Sequence, residues 1–130
     1  MGYDGMVRVP AIIVAFSLGS CAVPQPDSEQ RSPPRELAGR SPGAPQRCAL
    51  IDRLEALRVS ESDRHTLVYG TGRTIWANSL GQCTLRPADV LVTESLGSYY
   101  CRGDLVRSFD RLSRIPGPTC VLGDFVPYTR

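Results

Sequence analysis

The distribution of five cysteines constrains this chain more than any other sequence feature. Cys21 stands alone near the N-terminus, whereas the other four, Cys48, Cys83, Cys101 and Cys120, fall within residues 47–130. A domain of that length has a thin hydrophobic core, and small exported domains commonly supplement such a core with disulfides. The odd count therefore divides into one cysteine with a separate role and four that can form two disulfides.

The sequence leaves three pairings of these four cysteines open. We favour Cys48–Cys120, which would join the two ends of the domain, together with Cys83–Cys101. A zinc tetrad is the weaker interpretation, because the chain has no Cys-x-x-Cys pair and a single histidine. We therefore expect neither a metal site nor a cofactor.

Cys21 closes a segment that is typical of a bacterial lipoprotein precursor. An apolar run over residues 9–18 follows Arg8, and it is too short for a membrane-spanning helix of roughly 20 residues. Its length suits the apolar part of a signal peptide. Leu18-Gly19-Ser20-Cys21 resembles the lipoprotein motif, which implies cleavage after residue 20 and acylation of Cys21 with chains such as palmitate. By resemblance to Gram-negative sorting, Ala22 favours an outer-membrane lipoprotein that faces the periplasm.

Residues 22–46 are predicted to be a disordered tether. Six of these positions are proline, and the sizeable apolar residues among them are Val23 and Leu37. Such a segment buries too little apolar surface to offset the entropy of ordering it. The chain is therefore predicted to have three parts: a signal peptide at 1–20, a lipidated Cys21 with its tether at 21–46, and a disulfide-stapled domain at 47–130.

Alternating apolar and polar residues predict β-strands through the domain. The clearest signal is a hairpin of residues 66–69 and 73–78 around Gly70-Thr71-Gly72, because glycine accommodates the positive φ of tight turns. Pro127 is expected to end the last strand. The other predicted strands cover residues 89–93, 99–101, 104–109 and 120–126.

Residues 49–57 are ambiguous, because their apolar spacing fits a short helix and also a strand that begins near Leu54. The expected fold is all-β, with at most this one short N-terminal helix. Five to six strands would form a small antiparallel sheet or barrel, since closure protects strand edges.

Five motifs span most of residues 48–127: Cys48, Asp63-Arg-His-Thr66, Trp76-Ala-Asn78-Ser-Leu80-Gly-Gln-Cys83, Cys101-Arg-Gly-Asp104 and Pro116-Gly117-Pro-Thr-Cys120-Val-Leu122-Gly123-Asp-Phe125-Val-Pro127. Together they resemble an uncharacterised family of small four-cysteine bacterial envelope proteins, a domain of unknown function. That family often has Pro-Gly-Leu after the third motif's cysteine, where this chain continues with Thr84 and Leu85. The resemblance implies a small disulfide-bonded envelope domain and supplies no activity or catalytic residue.

Charge and motif chemistry narrow the function classes. With 15 basic and 13 acidic side chains the net charge is +2, whereas nucleic-acid-binding domains usually carry a concentrated basic face. His65 lies close to Asp63 and is the candidate general base, but we favour a surface histidine, because no nucleophile motif of the Gly-x-Ser-x-Gly type is present. We expect no catalytic residues and no nucleic-acid partner.

Tyrosine and arginine are the residue types that protein interfaces favour, and five of them are the weak candidates for a binding patch: Arg73, Tyr99, Tyr100, Arg102 and Arg107. The expected function is that of a non-catalytic binding or structural module, held at the membrane by the lipid on Cys21. Its partner would be an envelope protein or a cell-wall component. The alternatives are an inhibitor of a secreted hydrolase such as a lysozyme and, less favoured, a small hydrolase.

Overall fold

Ten short strands make up the fold of the part that the structure, a computed structural model, describes, which is residues 32–130. Their bounds are β1 Ser41–Pro42, β2 Cys48–Leu50, β3 Arg58–Val59, β4 Thr66–Tyr69, β5 Thr74–Ser79, β6 Val90–Glu94, β7 Tyr99–Cys101, β8 Leu105–Phe109, β9 Pro116–Val121 and β10 Phe125–Thr129. The helical element in this range is one 3-10 turn, Arg35–Leu37. The all-β prediction is therefore confirmed, with more and shorter strands than the expected five or six.

The strands form three antiparallel sheets. A five-stranded sheet has the order β1-β10-β5-β4-β3, a three-stranded sheet has the order β6-β8-β9, and β2 pairs with β7 alone. The hairpin of β4 and β5 is present as predicted, with Gly70 and Gly72 both at positive φ. β7 follows β6 in the chain but pairs with β2, so that Cys48 lies opposite Cys101.

The five-stranded sheet is covered on both faces. One face carries Leu67, Tyr69 and Phe125, which belong to the main core together with Leu85, Val106 and Leu122. On the other face Val68, Ile75 and Ala77 form a second cluster, and the residue that covers them is Leu37. Leu37 comes from the 3-10 turn, and the adjacent β1 pairs with β10 at the sheet edge.

The packing of Leu37 moves the boundary of the folded domain. The tether was predicted to extend to residue 46, but residues 34–46 contain the 3-10 turn, β1 and a bridge from Gln46 to Phe125. Glu36 also accepts hydrogen bonds from the Ser60 hydroxyl and from the Glu61 main-chain N–H. The proline-rich composition suggested a tether, yet the burial of Leu37, main-chain pairing and the hydrogen bonds of Glu36 attach this segment to the sheet.

The disulfides are Cys48–Cys101 and Cys83–Cys120, so the favoured pairing of the sequence analysis was wrong. The pairing of β2 with β7 brings Cys48 directly opposite Cys101. Cys83 follows β5 and reaches the buried Cys120 of β9, thereby joining the two larger sheets. All four cysteines are used in disulfides, so none of them is a thiolate ligand for zinc.

Residues 51–57 form neither the helix nor the Leu54 strand that their spacing allowed; they connect β2 to β3 as an irregular loop. Residues 120–126, predicted as one strand, are divided between β9 and β10. Pro127 does not end pairing, because it lies inside β10 opposite Trp76. Its carbonyl accepts a 2.7 Å hydrogen bond from Gly43. The N–H of a residue at this position would point to the same β1 side as its carbonyl. Because proline lacks only that N–H, β10 loses no hydrogen bond to β5.

Candidate functional site

The outer face of the three-stranded sheet exposes a set of apolar side chains. Strand register places Val90 beside Phe109, Val92 beside Arg107, and Leu105 beside Val121 on this face. Val90, Val92 and Val121 are 44%, 46% and 54% exposed, although valine is usually a buried residue type. We call the set Val90, Val92, Leu105, Phe109 and Val121 the apolar face. Several exposed apolar side chains on one sheet face make that face a candidate interaction site.

One ion pair crosses the apolar face. Arg107 Nε donates to Glu94 Oε1 at 2.9 Å, and both side chains are about half exposed. An exposed pair of this kind contributes at most about 1 kcal/mol to stability. Its two charges are therefore available to a partner at little cost to the fold.

A loop of residues 110–115, held by hydrogen bonds to Asp110, borders the apolar face. Asp110 Oδ1 accepts hydrogen bonds from the Leu112 N–H, the Ser113 N–H and the Ser113 hydroxyl, while Arg86 donates to Oδ2. The Ser113 main-chain bond, the Ser113 hydroxyl and the Leu112 bond together lower the pKa of the Asp110 carboxyl. The loop holds out Leu112 and Ile115, which are 93% and 64% exposed.

A shallow cavity of about 350 Å³ connects the loop to the apolar face. Its lining includes Val90, Phe109, Arg111 and Arg114. Arg114 has φ of 58°, which is rare outside glycine, so the chain turns back sharply at this position. Guanidinium groups beside apolar surface are a common composition of protein interfaces.

A second depression, of about 340 Å³, lies beside the β4–β5 hairpin, and we call it the Trp76 cleft. Its lining residues are Leu50, Asp52, Glu55, Tyr69, Gly70, Thr71, Thr74 and Trp76. The Tyr69 hydroxyl donates to the Leu50 carbonyl at 2.9 Å and accepts from the Asp52 N–H. These bonds fix the 50–55 loop above the hairpin, so the cleft has a stable wall.

The five weak binding candidates do not converge on one patch. Arg107 belongs to the apolar face, and Arg73 lies at the far hairpin, where its carbonyl accepts from Arg40. Tyr99 and Tyr100 lie on the small β2–β7 sheet, and the Tyr100 ring packs edge-on against Tyr69 at 5.4 Å. Arg102 pairs with Asp124 at 3.3 Å.

Burial raises the pKa of Tyr100, and the nearby Tyr69 adds to that shift. The Tyr100 ring is partly buried against the main core, so only part of it is open to a partner. Sequence reasoning did not single out the exposed residues of the apolar face, among them Val90 and Val92. Their alternation predicted a strand, but it could not show which face of that strand stays uncovered.

His65 and Asp63 serve the turn before β4. Asp63 Oδ1 accepts from the His65 main-chain N–H and Oδ2 accepts from the Thr66 hydroxyl. The half-buried His65 ring places Nδ1 3.1 Å from the Cys83 carbonyl. Asp104 of the Arg-Gly-Asp triplet likewise accepts from the Cys101 N–H at 2.8 Å. These motif residues are thus committed to local turns.

No protein-family model matches the chain, and comparisons with curated proteins and with solved structures gave no match either. The family resemblance drawn from the five motifs therefore stays a prediction. Cys21 and the apolar run before it lie outside the described residues. Within residues 32–130 no helix has the length and apolar character to cross a bilayer.

Proposed function

We propose that this chain is a lipid-anchored protein of the bacterial cell envelope whose folded part is a non-catalytic binding module. Acylated Cys21 would hold it at the outer membrane, facing the periplasm. Residues 22–31 would act as a short tether before the domain. Its partner would be another envelope protein or a cell-wall component that docks on the apolar face.

The observation that carries this proposal is the exposure of Val90, Val92 and Val121 on one sheet face. Full burial of a valine side chain is worth about 1.5–3 kcal/mol, and these three valines are roughly half exposed, so a partner that covers them gains about half of that value at each. Two disulfides support an exported location, because disulfides persist in oxidising compartments.

A site-specific crosslinking experiment tests the docking surface. The lipidated full chain, produced in its native envelope, would carry a photoreactive residue in place of Val92 or, as a control, in place of the exposed Gln82. We expect a discrete adduct from position 92 and none from position 82. Adding Val90→Glu should remove the adduct, because a carboxylate would be buried against the partner. Equal adducts at both positions would refute docking on this face.

The anchor has a separate test. Metabolic labelling with a palmitate analogue should label the chain, and Cys21→Ala should abolish both the label and membrane fractionation. Labelling that persists in the Cys21→Ala variant would place the lipid elsewhere.

A second candidate function is inhibition of a secreted hydrolase such as a lysozyme, and the 110–115 loop favours it. Inhibitors commonly present a preorganised loop, since rigidity reduces the entropy lost on binding. Asp110 fixes this loop while Leu112 projects from it. Inhibition assays against a lysozyme and secreted proteases would test this, with Leu112→Ala as the variant and Leu96→Ala, equally exposed, as its control.

A further inference from the structure

We infer that the Trp76 cleft binds an organic cation, namely a lysine or arginine side chain presented by a partner protein. The cleft is distinct from the apolar face: its walls come from the 50–55 loop and the β4–β5 hairpin, whereas the apolar face belongs to the three-stranded sheet. Binding in the cleft therefore does not depend on docking at the apolar face.

Two carboxylates give the cleft an uncompensated negative charge. Asp52 Oδ1 accepts from the Leu54 N–H, and Glu55 Oε1 accepts from the Thr71 hydroxyl. Neither carboxylate forms an ion pair with any residue in the range 32–130. Each therefore keeps an oxygen that can accept a charge-assisted hydrogen bond from a ligand.

Arg58 bonds to a residue of the cleft but does not itself line the cleft. Arg58 directs its guanidinium to the Gly70 carbonyl, at 3.4 Å, and contributes to the electrostatics of Glu36. Because the cleft is lined by two unpaired carboxylates and, among the described residues, by no basic side chain, it favours a ligand that carries its own positive charge.

Hydrogen bonds within the protein hold the loop of Asp52 and the Glu55 carboxylate in place before a ligand arrives. The Tyr69 hydroxyl joins the Leu50 carbonyl to the Asp52 N–H, and the Thr71 hydroxyl ties Glu55 to the hairpin turn. Little conformational entropy of these groups would therefore be lost when a ligand binds, which is the usual advantage of a preorganised site.

Trp76 supplies the aromatic surface. It is half-buried, it lies opposite Tyr69 on β4 and Pro127 on β10, and it lines the cleft. Tryptophan is the side chain that attracts cations most strongly to its ring face. An aromatic surface beside two carboxylates suits an ammonium or guanidinium group on an alkyl chain. The ring alone or the carboxylates alone would select such a ligand less well.

The chain carries a single tryptophan, so the fluorescence of Trp76 reports on this cleft without interference. The full chain would be titrated with acetyl-Gly-Arg-Gly-amide, with its lysine analogue, and with the neutral citrulline analogue. We expect a saturable change with the arginine or lysine peptide and an affinity at least tenfold lower for the citrulline peptide. A chitin oligosaccharide would be titrated in the same way, as a ligand without a positive charge.

Charge neutralisation at constant shape tests the carboxylates. Asp52→Asn with Glu55→Gln keeps the acceptor oxygens for Leu54 and Thr71, so the loop should stay folded. The matched control, Asp124→Asn with Glu61→Gln, changes the net charge equally at surface carboxylates outside the cleft and outside the apolar face. We expect at least tenfold weaker peptide binding in the cleft variant and a change below twofold in the control.

Several outcomes would overturn the inference. They are a lack of any saturable change with the cationic peptides, equal affinity for the citrulline peptide, unchanged affinity in the Asp52→Asn/Glu55→Gln variant, and a response to the oligosaccharide alone. Circular dichroism and thermal unfolding of each variant would establish that the fold is intact before the affinities are compared.

Discussion

Asn78 and Gly123 exchange two hydrogen bonds of 2.8 Å: the Asn78 amide donates to the Gly123 carbonyl, and the Gly123 N–H donates to the Asn78 amide oxygen. Asn78 is almost fully buried on β5, and Gly123 lies in the break between β9 and β10. A Cβ at position 123 would come within 2.6 Å of the Ser79 carbonyl, so glycine is required there. This pair holds the chain where it passes from the three-stranded sheet to the five-stranded sheet.

Asn78→Ala should destabilise the protein by about 2–3 kcal/mol, because two main-chain groups of Gly123 lose their partners in a largely buried site. The free energy of unfolding would be measured in guanidinium chloride. Ser79→Ala is the control, since Ser79 is exposed on the same strand and should stay within about 0.5 kcal/mol. Equal effects of the two substitutions would show that the Asn78–Gly123 contact carries little stability.

The disulfide pairing predicts a specific peptide map. After cleavage behind arginine and glutamate under non-reducing conditions, two disulfide-linked peptide pairs should remain. The first links Cys48–Arg53 to Ser95–Arg102, and the second links Thr74–Glu94 to Ile115–Arg130. Each of the other two pairings joins different peptides, so mass spectrometry decides among all three. A species containing both Cys48–Arg53 and Ile115–Arg130 would contradict the structure.

Each disulfide should also stabilise the folded state. The bridges close loops with sequence separations of 53 and 37, and chain entropy assigns about 4 kcal/mol to loops of these lengths. Removing either bridge by paired alanine substitution should therefore lower the free energy of unfolding by a similar amount.

Leu37→Ala should destabilise the protein by about 2–4 kcal/mol, because the truncation leaves a cavity above Val68, Ile75 and Ala77. Leu54→Ala is the matched control, since Leu54 is 93% exposed and should have almost no effect. Denaturant unfolding of the two variants gives the comparison. If residues 22–46 were a tether throughout, the two substitutions would be equally harmless.

Glu36 gives the stability a defined acid dependence. Burial raises its pKa, but hydrogen bonds from its own N–H, from the Glu61 N–H and from the Ser60 hydroxyl, with the charge of Arg58, outweigh burial and lower that pKa. A lowered folded-state pKa means that the stabilisation is present above the ordinary glutamate pKa of about 4.3 and is lost as the pH falls through the folded-state value.

Glu36→Gln should therefore reduce stability at neutral pH, and its deficit relative to the unmodified protein should shrink as the pH is lowered below about 4. Denaturant unfolding at pH 7 and at a series of acidic values would measure this. Glu61→Gln is the control, because its side chain is exposed in the same turn. A deficit that stays constant with pH would assign the effect of Glu36 to shape rather than to charge.

Several motif residues that prompted the family resemblance have structural tasks. Asn78 and Gly123 lock the break between β9 and β10, Asp104 closes the turn after Cys101, and Asp63 closes the turn before β4. The turn residues Asp63 and Asp104 are readable from sequence because their effect is local, whereas the Asn78–Gly123 pair joins positions 45 residues apart. The same residues gave no indication of a binding surface, since none of them faces solvent as part of one.

The sequence by itself determined the all-β class, the β4–β5 hairpin and the use of four cysteines in disulfides, because alternation, turn glycines and cysteine count act over a few residues or through composition. Tertiary structure decided the cysteine pairing, the attachment of residues 34–46 and the uncovered sheet face. The pairing of β2 with β7 and the packing of Leu37 on Ile75 each join positions far apart in the chain. The exposure of Val92 likewise depends on which distant segments cover the sheet. Local patterns contain no information about which of several apolar faces another segment will cover.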